Sequence, residues 1–184
     1  MIRQESKRAP VAGPTAIRRC GIALGSNLGD RLANLQLAAK AVKMLADFSQ
    51  PVFQAPVFET DPVGCAPGTP AFLNSVMEIG FFGEPEELLA RLRAVESAMG
   101  RPSTREKNEP RPIDLDILYA DGLVRTDPAL ELPHPRLPQR RFVLEPLSAI
   151  RPGLVLPGQD VNIAALLAAL PEGDAPLRKF ADTW

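Results

Sequence analysis

The stretch Arg111-Pro112-Ile113-Asp114-Leu115-Asp116-Ile117-Leu118 sets two carboxylates into an otherwise apolar run. Side chains alternate faces along a strand. Ile113, Leu115, Ile117 and Tyr119 are therefore expected on one face, and Asp114 and Asp116 on the other. The two backbones would stand roughly 6–7 Å apart, twice the rise per residue, so that both acids reach common hard cations. Magnesium takes one or two carboxylates and completes its shell with substrate phosphate and water. Two acids on the solvent side of a strand would give the same pattern, although aspartate is a poor strand former. Arg111 lies three residues before Asp114, and Arg101 and Arg140 are placed to converge from loops. Guanidinium forks beside metal-bound carboxylates make a phosphate site.

Other candidates are less specific. The Gly25-Ser26-Asn27-Leu28-Gly29 turn offers backbone N–H donors ahead of a helix. It is also an ordinary strand-to-helix turn, and it fits neither the Walker A spacing nor the dinucleotide fingerprint. His134, the only histidine, sits in Leu132-Pro133-His134-Pro135, where a surface imidazole is the plain alternative. No Ser or Cys motif points to nucleophilic catalysis. Phe72 and Phe142 read equally as core, and Asn74 as a polar residue on a strand face.

The elements that must position these residues follow from periodicity. Ile17–Leu24 reads as a first strand and Asp30 as the cap of a helix with Leu32, Leu35, Ala39, Val42 and Ala46 on one side. Val52–Phe58 reads as a second strand and Phe72–Phe82 as a third. Pro85 opens a second helix and Gly100 closes it. Ile113–Tyr119 is the fourth strand. A hairpin around Asp121-Gly122, a Pro-rich loop and a helix near 161–170 complete the chain. Strand, helix, strand, strand, helix, strand is the split βαβ order of a ferredoxin-like α+β sandwich: a mainly antiparallel sheet with helices on one face, extended by a C-terminal hairpin and helix.

The 184 residues suit one domain, taken as 17–184, after a polar tail at 1–16 expected to be disordered. That tail has no apolar h-region, and no run approaches the ~20 residues of a membrane span. A net charge of −1 offers no field for nucleic acid or anionic membrane. Cys20 and Cys65 lack metal or redox spacing and read as a core and a loop residue in a reducing cytoplasm.

Taken in order, Gly25-Ser26-Asn27-Leu28-Gly29-Asp30, Phe72-Leu73-Asn74, Pro110 to Leu118, Pro133-His134-Pro135-Arg136 and Arg140 to Leu147 closely resemble the 6-hydroxymethyl-7,8-dihydropterin pyrophosphokinases of folate synthesis, from about Ile17 to Leu170. The resemblance implies a ferredoxin-like fold. It implies that Asp114 and Asp116 hold two magnesium ions bridging the ATP phosphates. It implies ATP contacts at Arg101, Arg111, Ile117, His134 and Arg140, with Arg101, Arg111, Asp114 and Asp116 as the catalytic set. Phe72 and Phe142 would sandwich the pterin and Asn74 would bond its edge, with backbone groups near Thr60 and Val63, and Asp114, completing that pocket. Glu96 matches a helix position that helps to bind substrate. Departures are Phe72 and Pro135, where Tyr is common, Ser103 for Arg and Asn108 for Trp.

The reaction implied is attack by the pterin hydroxymethyl oxygen on the β-phosphorus of ATP, with AMP leaving, in a cytoplasmic monomer whose partners are ATP and the pterin. The polar segment Arg101–Pro110 is expected to close as a lid. Two rivals remain: an RNA-binding module on a ferredoxin-like sheet, without the RNP1 aromatics, and a metal-dependent phosphohydrolase using the same aspartates.

Overall fold

A computed structural model describes residues 16–61, 68–101, 109–171 and 177–184. Residues 1–15 of the tail, Val63, Cys65, Ser103, Asn108 and nearly all of the expected lid lie outside the described residues.

The chain runs β1 (Ile17–Ser26), α1 (Arg31–Leu45), β2 (Phe53–Gln54), β3 (Val57–Thr60), β4 (Phe72–Phe82), α2 (Pro85–Ala98) and β5 (Asp114–Ala120). It continues through β6 (Arg125–Asp127), β7 (Leu130–Leu132), a 3-10 turn (Leu137–Gln139), α3 (Arg141–Ile150), α4 (Ile163–Ala168) and β8 (Arg178–Ala181). The main sheet has the order β5-β1-β4-β3-β8, antiparallel throughout, with β2 also paired to β4. Without β8 this is the ferredoxin-like order expected from the sequence.

Local chemistry fixes the helices. Asp30 caps α1, its Oδ1 accepting from the Ala33 N–H at 3.0 Å. Leu35, Ala38, Ala39 and Val42 form the buried stripe of that helix. Pro85 fits the start of α2, where no N–H is needed. Gly100, at φ +87°, ends it in a Schellman motif, with Gly100 N–H bonded to Ser97 O and Arg101 N–H to Glu96 O. That reversal returns Arg101 to the last turn of the helix it leaves.

Helices α1 and α2 bury Ile22, Leu24, Met77, Ile79, Leu115 and Ile117 on one face of the sheet. On the opposite face a second core of Val76, Leu118, Tyr119, Leu144, Leu147 and Ile163 packs under α3 and α4. Helix α3 stands where the sequence suggested a Pro-rich loop. Pro146 looks like a breaker, but Val143, Leu144 and Leu147 bury beside it, and that packing outweighs the missing N–H.

Four further differences have physical causes. The second strand divides at Pro56, and β2–β3 carry one residue more than the β4 segment they face. Asp121-Gly122 turns β5 into β6, while the hairpin itself is β6–β7. The last helix is shorter than expected, starting after the Asn162 cap. Tyr119 faces Asp114 and Asp116 rather than Ile117. Ile117 pairs with Ile22 and Tyr119 with Gly21, so Leu118 is an extra, bulged residue that shifts the alternation.

Candidate functional site

The end of the sheet that carries Asp114 is built from paired strand positions. Asp114 faces Gly25, Gly25 faces Asn74 and Asn74 faces Phe58. Directly paired residues project to the same side, so a carboxylate and an amide flank a glycine. A Cβ at Gly25 would stand 3.0 Å from Asn74 Oδ1 and 3.9 Å from both Asp114 Cβ and Phe72 Cδ1. Glycine therefore lets the Asn74 amide approach the strand closely, with Phe72 and Asp114 at either side.

Asn74 is nearly buried, and its Nδ2 donates to Thr60 Oγ1 at 2.7 Å. The Thr60 side chain, which sequence reading did not single out from its backbone, thus orients the amide. No local signal marks it; only the β3–β4 register brings the two together.

Asp114 is enclosed by cations. Arg101 Nη1 donates to its Oδ1 at 2.5 Å and Arg111 Nη2 to its Oδ2 at 2.7 Å. Arg101 also bonds Glu96 and the Ile113 carbonyl, with its side chain only 8% exposed. The Glu96 carboxylate accepts from the Leu115 N–H at 2.8 Å, so this residue ties α2 to β5 as well as holding Arg101. Burial would lift the Asp114 carboxyl, but Arg111 and Arg101, by charge and hydrogen bond, hold it below the usual carboxylate range.

Asp116 contrasts with it. No hydrogen bond or salt bridge engages its carboxylate among the described residues. Burial first, then repulsion from Asp114, raise its pKa against the pull of His134, Arg140 and Arg101. No group of three or more ligating side chains occurs among the described residues; Asp114 and Asp116 are two carboxylates on one strand face that could hold a cation. Two carboxylates suit a hard cation that keeps phosphate and water in its shell.

His134 and Arg140 complete the cluster from beyond β7. The His134 N–H donates to Leu118 O at 2.8 Å, and its Nδ1 accepts from the Arg136 N–H at 3.1 Å. The neutral ring therefore carries its proton on Nε2. Burial lowers the His134 pKa; Asp116 opposes this, and Arg140 and Arg136 reinforce it. Arg140 precedes α3 and has no carboxylate partner among the described residues. Each expected stacking ring carries a guanidinium, Arg111 at 5.4 Å from the Phe72 centroid and Arg140 at 5.3 Å from that of Phe142.

Ile117 and the glycine turn stand at the edge of this cluster. Ile117 turns its side chain into the first core, so only its backbone is available to a nucleotide. Within the Gly25–Gly29 turn, Asn27 acts as a clamp on the segment leading into the strand that carries the aspartates. The Asn27 N–H bonds Arg111 O at 3.2 Å, and Asn27 Oδ1 accepts from Arg111 N at 2.8 Å.

Residues 21–152 match the sequence model of the 7,8-dihydro-6-hydroxymethylpterin-pyrophosphokinase family. A Pseudomonas aeruginosa protein named 2-amino-4-hydroxy-6-hydroxymethyldihydropteridine pyrophosphokinase is 36% identical over 155 residues, covering 84% of this chain and 93% of its own. The folic acid synthesis protein FOL1 of Dictyostelium discoideum is 33% identical over 152 residues, 83% of this chain. The chain spans only 22% of the length of that relative. Among solved structures, wild-type Plasmodium falciparum HPPK-DHPS with pteroate aligns with a TM-score of 0.64 over 86% of this chain and 43% of its own, at 13% identity. That likeness bears on the fold alone.

Proposed function

The chain belongs to the 7,8-dihydro-6-hydroxymethylpterin-pyrophosphokinase family, and we propose that it transfers the terminal diphosphate of ATP to the hydroxymethyl group of 6-hydroxymethyl-7,8-dihydropterin in folate synthesis. The observation that carries this reading is the bare Asp116 carboxylate, set beside an arginine-paired Asp114 and facing Arg140 and His134. Two carboxylates beside free guanidinium and imidazole groups suit a hard cation and a polyanion together, as magnesium and ATP would supply.

Asp114 and Asp116 are the residues that would hold magnesium, two ions in this reading. Bound there, magnesium neutralises charge on the phosphates. Arg111 and Arg140 bind phosphate oxygens, and the Nε2–H of His134 donates a neutral hydrogen bond to the nucleotide. Arg101 holds Asp114 ionised. Phe72 and Phe142 stack on the pterin, and Asn74 bonds its edge with its amide fixed by Thr60. The hydroxymethyl oxygen then forms a bond to the β-phosphorus, the bond from that phosphorus to the AMP oxygen breaks, and the hydroxyl proton is released.

The unit is read as one domain over 17–184, a cytoplasmic monomer whose substrates are small molecules. The net charge of −1 and the cover of α3 and α4 on the second sheet face speak against an RNA-binding surface. No helix among the described residues is long and apolar enough to cross a membrane. The test is AMP release from ATP and magnesium with and without the pterin. Pterin-dependent AMP supports the reading; phosphate release without pterin would replace it with a phosphohydrolase.

A further inference from the structure

A second polar cluster lies on the same face of the sheet as the aspartates, and the chemistry above makes no use of it. Glu78 is fully buried, and its Oε2 accepts from Tyr119 Oη at 2.5 Å. Its Oε1 accepts from Arg19 Nε at 2.8 Å and lies 3.3 Å from Arg151 Nη1. Arg19 also bonds Pro51 O at 2.7 Å, and both guanidiniums lie near the Phe53 ring, Arg19 at 5.1 Å and Arg151 at 5.8 Å from its centroid. The carboxylate is thus satisfied on both oxygens by groups from β1, β5 and the end of α3.

The consequence lies one residue before Tyr119. Leu118 has no partner on β1, and its side chain shares the second core with that of Tyr119, which regular alternation forbids. The Tyr119 ring fills the space over Gly21, where a Cβ would come within 2.2 Å of Tyr119 Cε1. Without the bulge Tyr119 would turn toward α1 and α2, its hydroxyl would leave Glu78, and a buried carboxylate would lose a donor. Hydroxyl, ring and glycine slot therefore all select the bulged form. In that form the Leu118 carbonyl receives the His134 N–H at 2.8 Å.

We propose that Tyr119, held by Glu78, is a positioning residue that fixes the bulge at Leu118 and through its carbonyl sets where His134 stands. Its kinetic consequence rests on the reading that His134 faces the nucleotide. The chain has a single histidine, so one imidazole resonance reports this site directly. The experiment compares wild type, Tyr119→Phe, Tyr119→Leu and Glu78→Gln by thermal melting, by the ligand-free His134 signal at fixed pH, and by KM for ATP and pterin. Tyr119→Phe keeps the ring and is the variant to rely on should Tyr119→Leu not fold. Both Tyr119 variants are expected to move the His134 signal and raise KM for ATP about three- to tenfold, with KM for pterin unchanged. Glu78→Gln keeps an acceptor for the hydroxyl and should keep the wild-type signal. A folded Tyr119→Phe that melts lower but leaves the signal and KM for ATP at wild-type values would make Tyr119 structural only and overturn the proposal. A shifted signal in a protein whose wild type makes no pterin-dependent AMP would uphold the positioning and remove the enzymatic reading instead.

Discussion

Asp114 and Asp116 project from the same face of β5, yet Asp114 is gripped by Arg101 and Arg111 while Asp116 has no partner among the described residues. Opposite effects on stability follow from substituting them. Asp116→Asn removes a half-buried charge that has no hydrogen-bond partner and lies beside Asp114, and should raise the melting temperature of the ligand-free protein. Asp114→Asn weakens two charge-assisted hydrogen bonds and should destabilise by about 1–3 kcal/mol. Both should lower turnover by on the order of a hundredfold or more. Calorimetric melts without magnesium, run beside the AMP assay, check all four outcomes.

The same pair predicts two pH windows. The Asp116 pKa is raised in the folded protein. Its ionisation therefore costs stability above its folded value, and that cost fades as pH falls to the unfolded value of about 3.9. The lead of Asp116→Asn should close across that interval. The Asp114 pKa is depressed. Its contribution is complete above about 3.9 and is lost only as pH falls below that toward its folded value. The deficit of Asp114→Asn should therefore narrow in the more acid window. Denaturant melts from pH 7 to pH 2 read both curves; gaps closing together would contradict the assignment.

For the pterin, the relevant contact is Asn74 Nδ2 to Thr60 Oγ1 at 2.7 Å. Asn74→Ala should weaken pterin binding by roughly 1–3 kcal/mol and leave ATP binding intact. Thr60→Val frees the amide to rotate and should have a smaller effect of the same kind, which Thr60→Ser restores. Titration calorimetry with each ligand separates these outcomes. Equal loss for ATP and pterin would end the division of labour.

How much of this was legible in the sequence depended on whether the signal was local. Alternation placed Asp114 and Asp116 together, and the limits of β4 were read without error because an apolar strand between Pro-rich and Glu-Pro boundaries has few alternatives. The phase of Tyr119 was not legible, because a bulge leaves no mark in a run of apolar residues. Helix α3 was hidden by Pro146, whose cost is offset by packing against strands distant in sequence. Strand β8 has only four residues and weak alternation, and its pairing partner is β3. The bonds from Asn27 to Arg111 and from Glu96 to Arg101 depend on tertiary register and Schellman reversal, so the residues were visible but their partners were not.

Arg140 and Arg101 were both expected at phosphate, but their surroundings differ and so should their variants. Arg101 is 8% exposed and bonds Glu96, Asp114 and the Ile113 carbonyl. Arg101→Ala deprives a buried carboxylate of a cation and should destabilise by roughly 3–5 kcal/mol, with loss of turnover following in part from loss of fold. Arg140 has no carboxylate to leave behind; its guanidinium lies over Phe142, and burial and Arg136 both disfavour its charge. Asp116 and Asp114 favour that charge from a distance, but neither is bonded to it, so removal strands no hydrogen-bonded acid. Arg140→Ala should therefore melt near the wild-type temperature while raising KM for ATP about tenfold or more, in line with loss of a charge-assisted phosphate contact. The check is the melting temperature and KM for ATP of the two variants measured together. A strongly destabilised Arg140→Ala with unchanged KM would place this arginine in the scaffold rather than at the nucleotide.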